Sequence, residues 1–316
     1  MFTANLIGPH TRQSLSLSRT IRSVSILKAS HNAAFVFAII LVGLTAPSVR
    51  AQKDKKPEPP AATLKRTLTR HESYRLAYGG SVTVTGAPVG SVTIEGWDRN
   101  EVDITADLEW QAGAVADLDK LALVNNFAVD ADTNRISIIT TGTHDKKYMK
   151  QFGKSFPKTL LGLPWHVNFK IMVPAMTDIE IDSGIGAVKI AGIEGAIRLN
   201  ALQSDADLSL TGGFFTAIIQ RGAVNVRVPA RSWHGLGANL QLAGGTLDVS
   251  LLPGFSGDID ANILRIGEIR NSYPALVARE NNSITPHTLL GRIGAGGARL
   301  SFTVGDGKIE IKQSAQ

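Results

Sequence analysis

The residues of this chain that could do chemistry are three carboxylate pairs and five scattered histidines. Asp130/Asp132, Asp205/Asp207 and Asp258/Asp260 are each two apart. On a strand that spacing puts both side chains on one face, where they can share a cation or divide acid and base roles across a glycosidic bond. Plain alternation of a half-buried strand produces the same spacing. Asp258-Ile259-Asp260-Ala261 reads as such an alternation, with its carboxylates on a solvated face. Past residue 51 the histidines are His71, His144, His166, His234 and His287. No two stand at i, i+2 or i, i+4 and none lies in an H-E-x-x-H run, so a compact local metal centre is not predicted. No serine sits in G-x-S-x-G, and the glycines of Gly291 to Gly297 lack the strand-to-helix setting of a dinucleotide loop. The chain has no cysteine, which removes disulfides, thiolate metal sites, cysteine nucleophiles and cysteine-borne lipid anchors. The expectation is a non-enzymatic chain with no catalytic residues, no cofactor and no metal.

The most distinctive chemistry is electrostatic. Thr143 to Leu163 carries Lys146, Lys147, Lys150, Lys154 and Lys158 against the single acid Asp145. Plotted at about 100° per residue, Tyr148, Phe152, Phe156, Leu163, Met149 and Leu160 fall within an arc of roughly 120°, and the lysines fall in a separate arc of similar width. That is the pattern of a basic amphipathic helix suited to an anionic membrane surface or an acidic polymer. Gly153 and Pro157 oppose one continuous helix, since proline costs about 3 kcal/mol in a helix interior. The alternative is a turn or two of helix capping a β core, apolar side inward and lysines in water. Trp165, at the exit of the segment, suits either core or contact. The candidate surface-binding residues are the five lysines with Tyr148, Phe152 and Trp165.

The elements that must carry this segment follow a leader. Residues 1–51 contain Arg12, Arg19, Arg22 and Lys28, an apolar run from Ala33 to Leu44, and small residues at Val49 and Ala51. These are the parts of a secretory signal peptide, and the apolar run would rise only about 18 Å as a helix, short of a hydrocarbon core of ~30 Å. Removing these four basic residues and Arg50 with the leader takes the net charge from +6 to +1. The basic pI therefore belongs mostly to targeting, and nucleic acid is not an expected partner. Residues 52–73 read as a Pro/Lys-rich linker, from Gln52-Lys53-Asp54-Lys55-Lys56-Pro57 onward.

From residue 74 the period becomes two. Val82/Val84, Val92/Ile94 and Val102/Ile104 alternate with polar residues between Gly-rich turns. Ala114 to Asn125 breaks the rule with apolar residues near helical spacing, which predicts one short helix. After residue 166 the pairs recur at Ile179/Ile181, Val188/Ile190, Ile197/Leu199 and Leu208/Leu210. Connections of about four residues leave no room for crossover helices. The fold class is all-β, read as a β-solenoid or β-helix-like stack whose coil is two strand-plus-turn units of roughly 18–20 residues, with an antiparallel β-sandwich as the alternative. The β domain of 74–316 divides into 74–142, the insertion 143–165, and the repeats 166–316.

Gly90-Ser91-Val92-Thr93-Ile94-Glu95-Gly96-Trp97-Asp98-Arg99-Asn100-Glu101-Val102 resembles the opening of the bacterial putative-adhesin β-strand-repeat domain family. Val173-Pro174-Ala175 leading to Asp178-Ile179-Glu180-Ile181, and Gly186-Ala187-Val188-Lys189-Ile190, are similar to its later repeats. The usual Asn/Asp-Gly turn is replaced here by Gly184-Ile185-Gly186. The resemblance implies a repetitive β fold exported to the periplasm, cell surface or medium, and it brings no catalytic residues.

Three functions fit these observations. The first is a binding or adhesion module whose partner is an anionic envelope polymer, a glycan or a protein, with membrane-surface contact through the insertion. The second is an envelope-stress accessory or structural protein acting through a protein partner. The third is a carbohydrate-active solenoid enzyme, which would need acids from neighbouring coils to converge in one groove.

Overall fold

The computed structural model describes residues 63–279 and 284–314. The signal-peptide reading and the Pro-rich part of the linker lie outside the described residues. The linker boundary at 73 is corrected: strand β1 (Leu64–Arg75) begins ten residues earlier. Its sequence, LKRTLTRHESYR, buries no side chain, so no apolar period marks it. It is held instead by antiparallel pairing to a neighbour along its whole length. A strand rich in Lys and Arg at the edge of a sheet also discourages further pairing.

After β1 come β2 (Ser81–Thr85), β3 (Val92–Trp97) and β4 (Glu101–Ala112), the strand that β1 lines. Helix α1 (Val115–Val124) falls where the spacing predicts it, with Leu118, Leu121 and Val124 buried. A hairpin of β5 (Asn126–Ala131) and β6 (Arg135–Thr141) follows, then the single turn α2 (Lys146–Met149) and β7 (Trp165–Pro174).

The remainder is nearly all strand: β8 (Asp178–Ile185), β9 (Val188–Ala191), β10 (Ala196–Gln203), β11 (Ala206–Ser209), β12 (Gly212–Val228) and β13 (His234–Leu251). Then come β14 (Gly257–Ile263), β15 (Gly267–Ser272), the hairpin partners β16 (Leu276–Ala278) and β17 (Thr288–Ile293), and β18 (Arg299–Gln313). The described residues are all-β apart from α1 and short helical turns.

Pairing within the stack is parallel. Ile179 faces Ile197 and Ile197 faces Phe215, each eighteen residues on; Val188, Ala206 and Val224 repeat that offset on a second face. On face A, β6, β2, β8, β10 and the first halves of β12, β13 and β18 lie side by side, ending at β14. On face B, β7, β3, β9, β11 and the second halves of the same long strands do likewise, ending at β15. Antiparallel strands occur toward the two ends of the stack: β1, β4 and β5 at one, β16 and β17 at the other. The last strand, β18, lies between β13 and the β14/β15 pair rather than at an end.

Alternation explains the core. Side chains such as Val82, Ile181, Leu199, Leu240 and Phe302 point inward from face A and meet Val92, Ile190, Leu208, Val249 and Ile311 from face B, all buried in one cluster. Each such side chain contributes about 1.5–3 kcal/mol by leaving water. Where a strand passes from one face to the other, a column of glycines makes the corner. Gly222, Gly245 and Gly307 have φ of +149°, +140° and +145°. A Cβ on them would lie 1.9, 1.9 and 1.7 Å from the carbonyl oxygens of Ser204, Gly222 and Gly245 on the neighbouring chain segments. Only glycine permits both that backbone and that approach.

Candidate functional site

The lysine insertion is rooted in the buried base of β4, β5 and β7. Asn125 is fully buried, and its Oδ1 accepts from the Thr143 backbone N–H at 2.7 Å. Its carbonyl accepts from Trp110 Nε1 at 3.0 Å. Trp165 Nε1 donates to Thr143 Oγ1 at 3.2 Å, closing the segment on itself. Asp145 then caps α2, its carboxylate accepting from the N–H groups of Lys147 and Tyr148 at 2.7 and 3.1 Å. Those backbone donors, the Tyr148 N–H foremost, hold the Asp145 carboxyl below its ordinary range. His144 stacks against Trp165 with ring centroids 5.4 Å apart, and desolvation lowers its pKa.

The wheel pattern is realised as a strap instead of an amphipathic helix. α2 is one turn long, and two 3-10 turns, Gly153–Ser155 and Lys158–Leu160, complete the segment. Gly153 adopts φ +52°, a left-handed residue that stops the helix, and Pro157 has no N–H to continue it. The apolar residues nevertheless reach the core: Leu160 is buried, while Phe156 and Leu163 pack against the cluster. Tyr148 and Phe152 are half-buried in edge contact at 5.4 Å. Lys146, Lys147, Lys150 and Lys158 are exposed and make no ion pair among the described residues. One candidate is corrected: Trp165 is only 8% exposed and belongs to the root of the strap, where it cannot reach a surface without unpacking.

The carboxylate pairs have local partners. Asp132 accepts from the N–H groups of Asn134 and Arg135 and closes the β5–β6 turn. Asp205 Oδ1 accepts from the Ala223 N–H at 3.0 Å, one coil away. The solvated-face reading of Asp258/Asp260 is corrected. Their side chains are 13% and 14% exposed, enclosed by arginines that sequence reasoning missed. Arg292, directly opposite Asp258 across the β14–β17 ladder, binds it through Nε at 2.8 Å. Arg279, 12% exposed, reaches Asp258 at 3.5 Å and Asp260 at 3.1 Å, and Arg299 reaches Asp260 at 3.4 Å. Arg292 foremost, with Arg279, holds the Asp258 carboxyl below its ordinary range. Bonded to Arg292, Arg279 and Arg299, the two carboxylates form a clasp that ties the β16–β17 hairpin to β14.

The histidines stay apart. His71 lies 3.3 Å from Asp103, and His166 lies 3.9 Å from Glu109. Among the described residues no three of His, Asp and Glu converge as a metal site, and no helix is long and apolar enough to cross a membrane.

No family model matches the chain, and no curated protein matches it. Solved structures similar to it include a "putative cell adhesion protein" from Clostridium sporogenes, at 12% identity and a TM-score of 0.38 over 78% of this chain and 100% of that one. A "putative adhesin" from Bacteroides fragilis is similar at 11% identity and a TM-score of 0.34, over 78% of this chain and 97% of the other.

Proposed function

We propose that this protein is an exported, non-enzymatic attachment module of the bacterial envelope or cell surface, and that it holds an anionic polymer or anionic membrane surface through the lysine strap. The observation that carries this reading is the division of labour within residues 143–163. Leu160, Phe156 and Leu163 tie the segment to the core, while Lys146, Lys147, Lys150 and Lys158 stand in water with no carboxylate partner among the described residues. Fixed, unpaired cations on a rigid base attract an anionic surface at little ordering cost. The proposal includes the resemblance to adhesin repeat domains and the reading of the architecture as a two-faced β-solenoid, which the eighteen-residue parallel register supports.

The test is co-sedimentation of the purified protein with vesicles of anionic and neutral lipid and with purified cell-wall polysaccharide. A variant with Lys146, Lys147, Lys150, Lys154 and Lys158 changed to Gln is run beside it. At about 1 kcal/mol per lysine near an anionic surface, the five changes are expected to weaken binding by a factor on the order of 10³ at low salt. Wild-type binding should also fall steeply as salt rises. Equal retention of wild type and variant on every anionic surface would refute the assignment.

A further inference from the structure

A second feature lies on the glycine corner, away from the residues of the strap. The register runs Ile185, Gln203, Arg221, Gly244, Asp306 along successive coils, with Arg265 placed beside that row by its backbone bond to Gly305. At β13 and β18 the side chains fall away to Ala243, Gly244 and Gly305, and on either side they rise again. The result is a notch of about 760 Å³.

The fold accounts for part of this gap and not for the rest. Gly245 has φ +140° with Gly222 O at 1.9 Å from a built Cβ, and Gly305 would place one 2.4 Å from Ala243 O. Both must be glycine. Gly244 is different: its φ lies outside the left-handed region, and a Cβ there would meet only Asp306 O, at 3.8 Å. A Cβ fits there without obstruction, and glycine in a strand costs about 0.5–1 kcal/mol relative to alanine. Packing does not require the open floor of the notch.

The lining indicates what would fill it. Ile185 and Leu202 form an aliphatic wall and are 47% and 61% exposed. Gln203 and Gln220 supply amide donors and acceptors at the rim. Arg265 is held by Asp306, its Nε donating to Oδ1 at 2.9 Å. Arg221 makes no ion pair among the described residues, which leaves its bidentate fork available to a carboxylate. Among the described residues no aromatic face lines the notch for a sugar ring to stack on.

We infer that the notch is a binding site for an extended acidic polypeptide segment of a partner protein. An aliphatic side chain of that segment lies over Gly244 against Leu202, a neighbouring Asp or Glu pairs with Arg221, and the peptide backbone bonds to the glutamine amides. This site is independent of the strap, and failure of either proposal leaves the other standing.

The probe is an array of eight-residue peptides with Leu and Glu at every pair of positions in a Ser/Thr background. Matched arrays carry Lys for Glu or Ala for Leu, and chitin and cellulose oligosaccharides serve as competitors. Wild type is expected to retain Leu/Glu peptides and not the matched controls. Gly244→Trp, which fills the notch, and Arg221→Gln are each expected to lose about tenfold or more in affinity while melting as wild type does. The strap variant should bind the array unchanged. The inference is overturned by no retention of Leu/Glu peptides, by equal binding of Gly244→Trp and Arg221→Gln variants to them, or by displacement of the peptides by an oligosaccharide.

Discussion

Changing Gly307 to alanine is expected to destabilise this protein far more than changing Gly244, one coil away on the same corner. Gly307 has φ +145°, and a Cβ on it would lie 1.7 Å from the Gly245 carbonyl oxygen. Ordinary contact begins near 3.4 Å, so β13 and β18 would have to part by about 1.7 Å from a spacing of about 4.8 Å. That movement breaks the local ladder. Two backbone hydrogen bonds at about 1 kcal/mol each, with about 1–3 kcal/mol for the strained backbone, give a loss of roughly 3–5 kcal/mol. For a domain of this size each kcal/mol moves the melting temperature by about 2–4 °C, so the expected fall is roughly 6–20 °C. Gly244→Ala meets no obstruction and is expected to be neutral or to stabilise by about 0.5–1 kcal/mol through the unfolded state. Thermal and urea unfolding followed by far-ultraviolet circular dichroism measure both. A Gly307→Ala protein melting within about 2 °C of wild type, or a Gly244→Ala protein falling as far, would refute the close-packed corner.

Three other expectations concern the clasp and the strap. Asp258→Asn removes the charged partner of Arg292 and should cost about 1.5–3 kcal/mol, with amide exchange of the β16–β17 hairpin accelerating before that of β8 or β10. Because the folded-state pKa of Asp258 is depressed, its contribution is present above the unfolded value near 3.9 and is lost as pH falls through the lower folded value. An acid titration of stability should therefore lose part of its slope below pH 4 in the Asn variant. Asn125→Ala leaves the Thr143 N–H without its buried acceptor and should cost about 1–3 kcal/mol, read as faster proteolysis within residues 143–163.

The all-β character was legible because its signal is local. Val82/Val84, Ile179/Ile181 and Ile197/Leu199 alternate with polar residues between glycines, and each pair is buried where alternation puts it. The helix at Val115–Val124 was visible for the same reason, since Leu118, Leu121 and Val124 carry a period of their own. β1 was hidden because pairing to β4, not burial, holds it. The aspartates of β14 were misread as solvated because their arginines arrive from β17, β18 and the end of β16, and Arg292 is 34 residues from Asp258. The strap fell between the two cases. Its apolar and basic residues separate cleanly on a wheel, but Gly153 and Pro157 fold it into turns that reach the same core by another path.

The placement of β18 also constrains the order of events in the life of the chain. Arg299 to Gln313 follow β14 and β15 in sequence, yet they lie with β13 on one side and β14 and β15 on the other. Until β18 is in place, the parallel edges of β13 and of β14 and β15 lack the strand that they share. The joining of β13 to the β14/β15 pair is therefore out of sequence order, since the strand between them comes after both. The closing contacts join residues 62 apart, such as Leu240 and Phe302, which makes completion slow compared with a stack that grows coil by coil. A chain cut before β18 therefore exposes both edges at once and should aggregate instead of persisting as a smaller stable unit.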